Sequence, residues 1–146
     1  EVAALLHSIG VFVGLRAHHK HAQYLIQASE IFGLSVDDRA VIANVVRYHR
    51  RGPPQTSHLP YMALDRLERV RVNKLAALLR IANALDAEHA QKVRDLHVRA
   101  VDGAWVLEVQ GVGDLAQERM TVDARADLFQ DVFGRALSWR GAGVQS

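Results

Sequence analysis

Apolar positions recur at helical spacing through residues 1–92 and at a spacing of two beyond them. Val2, Leu5, Leu6 and Ile9 open the chain as one face of a helix, and Gly10 and Gly14 bracket a short apolar turn. A second helix is predicted from about His18 to Ser29, its stripe marked by Tyr24, Leu25, Ala28 and Phe32, with Gly33 where a C-cap is expected. Ser35 and Asp38 read as a capping box in which Asp replaces the usual Glu or Gln. The helix they open has Val41, Ile42, Val45, Val46 and His49 as its buried face. The segment 51–57, Arg-Gly-Pro-Pro-Gln-Thr-Ser, cannot be helical and is a connecting loop. Asp65 is the expected N-cap of the longest helix, which runs to about Ala87 on a stripe of Leu67, Leu75, Leu78, Leu79, Ala82 and Leu85.

From Val93 the pattern alternates. Leu96, Val98 and Ala100 lead to the turn signal Asp102-Gly103, and Trp105, Leu107 and Val109 follow, which predicts a β-hairpin. A short strand is expected over 119–122 and a last helix from Asp123 to about Gly134, with Leu128, Val132 and Phe133 turned inward. The resulting fold class is mainly α. A helical bundle over 1–92 precedes a small α+β appendage over 93–140, a β-hairpin plus C-terminal helix, and residues 141–146 form a frayed tail.

Composition narrows the function classes. A chain of 146 residues with 49% hydrophobic residues and 3 prolines can bury a core and is not disordered. The absence of cysteine excludes disulfide scaffolds, zinc ribbons and thiol catalysis. Runs such as Val11-Phe12-Val13 are far too short to span a membrane, so no membrane partner is expected. No basic-then-apolar leader opens the chain, and a cytoplasmic location is expected. Because the apolar pattern is already running at Glu1, the chain reads as cut from a longer protein. Charge is uneven: residues 1–92 hold 12 Lys+Arg against 8 Asp+Glu, and residues 93–146 hold 6 against 8. All histidines except His97 also lie in the basic part, so an anionic partner is expected to meet the first two-thirds of the chain.

The candidate chemistry is a histidine cluster. His18, His19 and His21 surround Lys20 at a helix start, and His49 lies among Arg47, Arg50 and Arg51. Neutral imidazoles at these positions can ligate a metal. They can instead join Lys20 and the arginines in a phosphate cradle, because guanidinium groups match phosphate oxygens two by two. The plainer reading makes His49 a satisfied core histidine and the rest a solvated helix start. Three histidines and a lysine within four residues at a helix N-terminus favour the anion site.

A second constellation carries a resemblance. The stretch Leu5-Leu6-His7-Ser8-Ile9-Gly10 is similar to the "LLHDIG" helix of HD-domain phosphohydrolases. Four further stretches are Gly14-Leu15-Arg16-Ala17-His18-His19-Lys20-His21, Tyr24-Leu25-Ile26, Val46-Arg47-Tyr48-His49-Arg50-Arg51-Gly52-Pro53-Pro54 and the run from Lys74 to Asp86. With the closing Asp127-Leu128-Phe129 and Val132-Phe133-Gly134, they resemble the C-terminal HD-like region of the exopolyphosphatase and guanosine pentaphosphate phosphohydrolase family.

That resemblance implies a division of labour. Hydrolysis of phosphoanhydride bonds, with magnesium, belongs to N-terminal domains of the actin/sugar-kinase type. This chain lacks them and is expected to be inactive alone, with no cofactor of its own. The partners implied are inorganic polyphosphate or a guanosine alarmone, those N-terminal domains and a second copy in a homodimer. Active HD relatives hold a divalent metal through His, His-Asp and a distal Asp. Here His7 keeps the motif histidine, but Ser8 and Asn83 stand where the carboxylates belong. A hydroxyl and an amide oxygen are poor ligands for hard cations, so no metal is expected at His7, Ser8 and Asn83. Asp86, one turn on, is expected to cap or to pair with Arg80 or Lys92.

The positions expected to hold phosphate are therefore His18, His19, Lys20, His21, Arg47, His49, Arg50, Arg51 and Arg80. For Arg47, Arg50 and Arg51 the alternative is a solubilising helix end favoured by the helix dipole. Arg80, flanked by Leu79 and Ile81, needs an acidic partner such as Asp86 or a ligand. Two other functions compete: a residual HD-type metal-dependent phosphohydrolase, and a nucleic-acid-binding module suggested by the pI of about 9.3. Aromatic content of 6% leaves few stacking platforms for the latter.

Overall fold

The computed structural model describes residues 1–50 and 52–143. In chain order these form α1 (Val2–Leu6), a 3-10 turn (Ile9–Phe12), α2 (His18–Ala28), α3 (Val36–Tyr48), α4 (Leu59–Met62) and α5 (Arg66–Ala84). β1 (Val93–Val101), β2 (Ala104–Gly111), α6 (Ala116–Arg125), α7 (Asp127–Phe133) and β3 (Leu137–Gly143) follow. The architecture is mainly helical with a small α+β appendage. Two compact units divide it, Glu1–Leu79 and Arg80–Ser146, with the division within α5.

Capping chemistry starts the two long helices where the sequence predicts. The Ser35 hydroxyl accepts from the Asp38 amide at 3.0 Å, and the Asp38 carboxylate accepts from the Ser35 amide at 3.2 Å. The Ser35 hydroxyl, donating to the Asp38 carboxylate at 2.6 Å, and the Ser35 amide hold the Asp38 carboxyl below its ordinary pKa. Asp65 and Glu68 repeat the exchange at the head of α5, at 2.7 and 2.9 Å. Helix α2 stops at Ser29, whose amide and hydroxyl both turn back to the Leu25 carbonyl. Gly33, expected as its C-cap, sits in the following loop at φ +81°. The 51–57 loop is confirmed over 52–57 (Arg51 lies outside the described residues), and α4 is a single turn beyond it with Pro60 in its first turn.

The first unit has its core between α1, α2 and α3. Ala22, Ile26, Ala43 and Val46 are buried together, with Ala3, Leu6, Ile31 and Ile42 packed around them. Two predicted stripes are corrected. On α2 the buried face is His19, Ala22 and Ile26, while Tyr24, Ala28 and the following Phe32 face solvent. On α5 the buried residues are Val72, Ala76, Ala77, Arg80, Ile81 and Ala84, and Leu67, Leu75, Leu78 and Ala82 are exposed. Alanines take part of the inward face of both helices, Ala22 on α2 and Ala76, Ala77 and Ala84 on α5, while several larger apolar groups stand outside. A reading based on hydropathy therefore missed part of the inward face.

The second unit contains a three-stranded sheet in the order β1-β2-β3. β1 and β2 form the predicted antiparallel hairpin, closed by Asp102 (φ +48°) and Gly103 (φ +79°), the two positive-φ residues a type I′ turn needs. β3 runs parallel to β2, placing Leu137 beside Trp105 and Trp139 beside Leu107. A parallel neighbour requires a crossover, which α6 and α7 supply. The strand expected over 119–122 is instead part of α6, where Glu118 and Val122 are buried one turn apart. The expected helix from Asp123 is divided between the end of α6 and α7. Residues 141–143, expected to fray, belong to β3, and 144–146 lie outside the described residues. No helix among the described residues is long and apolar enough to cross a membrane.

Candidate functional site

The site is built where the 3-10 turn meets α2. Gly10 is buried there, and a Cβ on it would overlap the His18 carbonyl oxygen and lie 2.6 Å from the Ala22 nitrogen. Only glycine allows this approach, so Gly10 sets where α2 begins. The helix then starts from Ala17, a non-glycine residue held in the left-handed region at φ 56° and ψ 29°. The turn brings Arg16 round to the side of the helix end that carries His18, His19 and Lys20.

Leu15, Arg16, Ala17, His18, His19, Lys20 and Arg50 line one cleft of about 490 Å³. Three of these side chains are cationic and none is acidic. The amino end of α2 adds its partial positive charge to the same wall. Behind the cleft the imidazoles gather. The His49 ring lies 5.3 Å from His7 and 5.9 Å from His18, and His18 lies 5.8 Å from His19. His7, His18 and His49 share one arrangement, each placing Nδ1 on the carbonyl three residues back, at 2.6, 3.3 and 2.6 Å. A carbonyl can only accept, so Nδ1 carries the proton and Nε2 of the neutral ring is an acceptor.

His49 is fully enclosed. Burial lowers its pKa to about 4, its neighbours His7, His18 and His19 push the same way, and the Val46 carbonyl opposes them. It is neutral near pH 7. On the far side of α3 the Tyr48 hydroxyl lies 2.8 Å from His58 Nδ1, and burial raises its pKa to about 12. The Arg47 guanidinium lies 5.5 Å from the Tyr48 ring, and burial lowers its pKa.

The predicted residues thus separate. His18, His19, Lys20 and Arg50 line the cleft, and His49 supports it from behind through His18. His21 and Arg47 are half-buried and do not line it. Arg51 lies outside the described residues. Arg80 belongs to the second unit, 4% exposed, with its guanidinium on Asp127 at 2.9 Å. Its acidic partner is thus Asp127 and not Asp86, and the unpaired mid-helix charge that suggested a ligand does not arise. Asp86 accepts from the Gln91 amide at 2.8 Å and faces His89 at 3.8 Å, pairing with neither Arg80 nor Lys92. Lys92 pairs with Glu88 and lies 3.7 Å from Glu118, contacts that raise its pKa. Sequence reasoning missed Arg16, whose only signal was its place just before the helix start.

The residues that the resemblance sets at HD positions are placed as follows. His7 is half-buried in the histidine cluster, Ser8 is exposed, and the Asn83 amide oxygen accepts from Arg125 at 2.7 Å. Among the described residues no group of three or more His, Cys, Asp or Glu side chains is arranged to hold a metal ion.

Fold and site define a mainly helical domain with a small α+β appendage and a basic cleft beside a histidine cluster. Residues 1–124 match the family model described as Ppx/GppA phosphatase, domain III. The chain belongs to that family and supplies its third domain, which implies a parent protein with further domains.

Proposed function

We propose that this domain holds a phosphate chain for a phosphoanhydride hydrolase whose catalytic centre, with its magnesium, lies in actin/sugar-kinase-like domains of the parent protein. Arg16, Lys20 and Arg50 line one cleft at the amino end of α2 with no carboxylate on its wall, and this observation carries the reading. Uncompensated cations beside a helix N-terminus attract a polyanion, and guanidinium groups bind phosphate oxygens with charge-assisted bonds. The ligand class is inorganic polyphosphate or the polyphosphorylated end of a guanosine alarmone, met in the cytoplasm.

The HD positions do not fit a divalent metal. Ser8 and Asn83 supply no negative charge, and the oxygen of Asn83 already receives a guanidinium from Arg125. On this reading the histidine cluster shapes the cleft and is not a catalytic centre. Titration of polyphosphate of defined length into the wild type and into Arg16→Ala/Lys20→Ala/Arg50→Ala tests the proposal. Each lost contact is worth on the order of 1.5–3 kcal/mol before screening, so affinity should fall by about tenfold or more, with a shallower salt dependence. Equal affinity in both proteins would remove the cleft from consideration. Competition with guanosine pentaphosphate then separates the two ligands.

A further inference from the structure

The cleft at the head of α2 holds a histidine arranged as a nucleophile. His18 lines it together with Arg16, Lys20 and Arg50. Its Nδ1 lies 3.3 Å from the Leu15 carbonyl, which can only accept, so the proton of the neutral ring sits on Nδ1. The lone pair is thereby left on Nε2, the ring nitrogen further from the backbone. A nucleophile of this kind needs a group that orients it, and here the backbone supplies one without a carboxylate.

The other imidazoles do not combine these conditions. His49 makes the same bond to a carbonyl but is fully enclosed, and His7 makes it without lining the cleft. His19 lines the cleft but is buried, and His21 does not line it. His18 alone joins a fixed tautomer to a half-buried ring on the cationic wall.

Phosphoryl transfer from a phosphoanhydride asks for little more. It proceeds mainly through positioning and through stabilisation of the charge on the moving group. Arg16, Lys20, Arg50 and the amino end of α2 provide that stabilisation. The leaving group is itself a terminal phosphate with a second pKa of about 6, so near neutral pH it departs without a general acid. The residues lining the cleft include no carboxylate to activate water against the product, so the group is retained after one transfer.

We propose that His18 is a phosphorylation site, accepting one phosphoryl group at Nε2 from the end of a phosphoanhydride chain held in the cleft. The Nε2 lone pair forms the P–N bond as the bridging P–O bond breaks. The electron pair of that bond leaves with the chain, now one phosphate shorter, and the imidazole proton stays on Nδ1 against the Leu15 carbonyl. The inference rests on the reading of the cleft as a phosphate-chain site and adds to it a covalent mark made once, without turnover.

The test is to incubate the chain with saturating inorganic polyphosphate of defined length near neutral pH, then to measure intact mass and map the modified residue. The wild type should gain the mass of one phosphoryl group, labile in acid and stable in alkali, on Nε2 of His18. His18→Asn should gain none, and His21→Asn should be labelled like the wild type. Mapping on the wild type needs no variant to fold. Polyphosphate bound without any label would overturn this proposal and leave the binding reading intact, whereas absence of both binding and label would remove the two together. Label on Lys20, on another histidine or on Nδ1 of His18 would also overturn it, as would equal labelling of His18→Asn.

Discussion

The two compact units handle charge in opposite ways. The six ion pairs described in the structure all join residues of the second unit, among them Arg80 with Asp127, Arg99 with Glu108 and Lys92 with Glu88 and Glu118. Both of its histidines lie beside an aspartate, His89 by Asp86 and His97 by Asp95. In the first unit the cleft cations Arg16, Lys20 and Arg50 take part in none of these pairs, and the histidines gather against one another. The sequence count runs the same way, with 10 Lys+Arg against 6 Asp+Glu in residues 1–79 and 8 against 10 in residues 80–146. The contrast separates arginines that hold a fold together from those that create a potential. A guanidinium with a carboxylate partner contributes to stability, while one without a partner contributes a field that attracts an anion.

The sharpest way to break the first unit without touching a charge is Gly10→Ala. The added methyl collides with the backbone of α2, and overpacking there should cost about 3 kcal/mol in urea denaturation. Polyphosphate binding should fall with it, because the displaced start of α2 carries His18, His19 and Lys20. If only stability falls, the cleft does not depend on this contact.

Acid should distinguish the units next. The folded pKa of His49, about 4, lies below the unfolded 6.5, so the unfolded chain binds more protons between these values. Stability of the first unit should be full above about pH 6.5 and decline by roughly 3 kcal/mol as pH falls to about 4. His49→Gln should flatten that slope, whatever its effect at pH 7. Equilibrium unfolding at stepped pH is the measurement.

Arg80→Ala and the cleft variants bear most directly on the contrast. Arg80→Ala removes a buried guanidinium from Asp127, which is itself more than half exposed, and should cost about 1–2 kcal/mol of stability. Polyphosphate affinity should not change. Arg16→Ala/Lys20→Ala/Arg50→Ala should do the reverse, changing stability by at most about 0.5 kcal/mol while lowering affinity. The smallest effect is expected at the helix caps, where Ser35→Ala should cost about 1 kcal/mol in thermal unfolding without altering binding.

Local signals were the legible part. Ser35 with Asp38, Asp65 before Arg66 and Asp102-Gly103 each act through bonds or torsions within a few residues, and each does in the structure what its sequence predicts. Helix faces were less legible. Leu67, Leu75 and Leu78 outrank Ala76 and Ala77 in hydropathy, yet the alanines are buried. At the site, His18, His19, Lys20 and Arg50 were legible as a cluster of anion-binding residue types. Arg16 was not, because its contribution depends on the left-handed turn at Ala17.

Determined by the sequence alone were the helical character of the first part, the hairpin that follows and the excess of cations in residues 1–79. All of these are properties of residue type and near-neighbour spacing. Tertiary structure alone decided that β3 joins the sheet in parallel, that Arg80 meets Asp127 across 47 positions, and that His7, His18 and His49 share one cluster. Those pairings join residues far apart in the chain, and only packing of whole elements selects among the many partners that chemistry would allow.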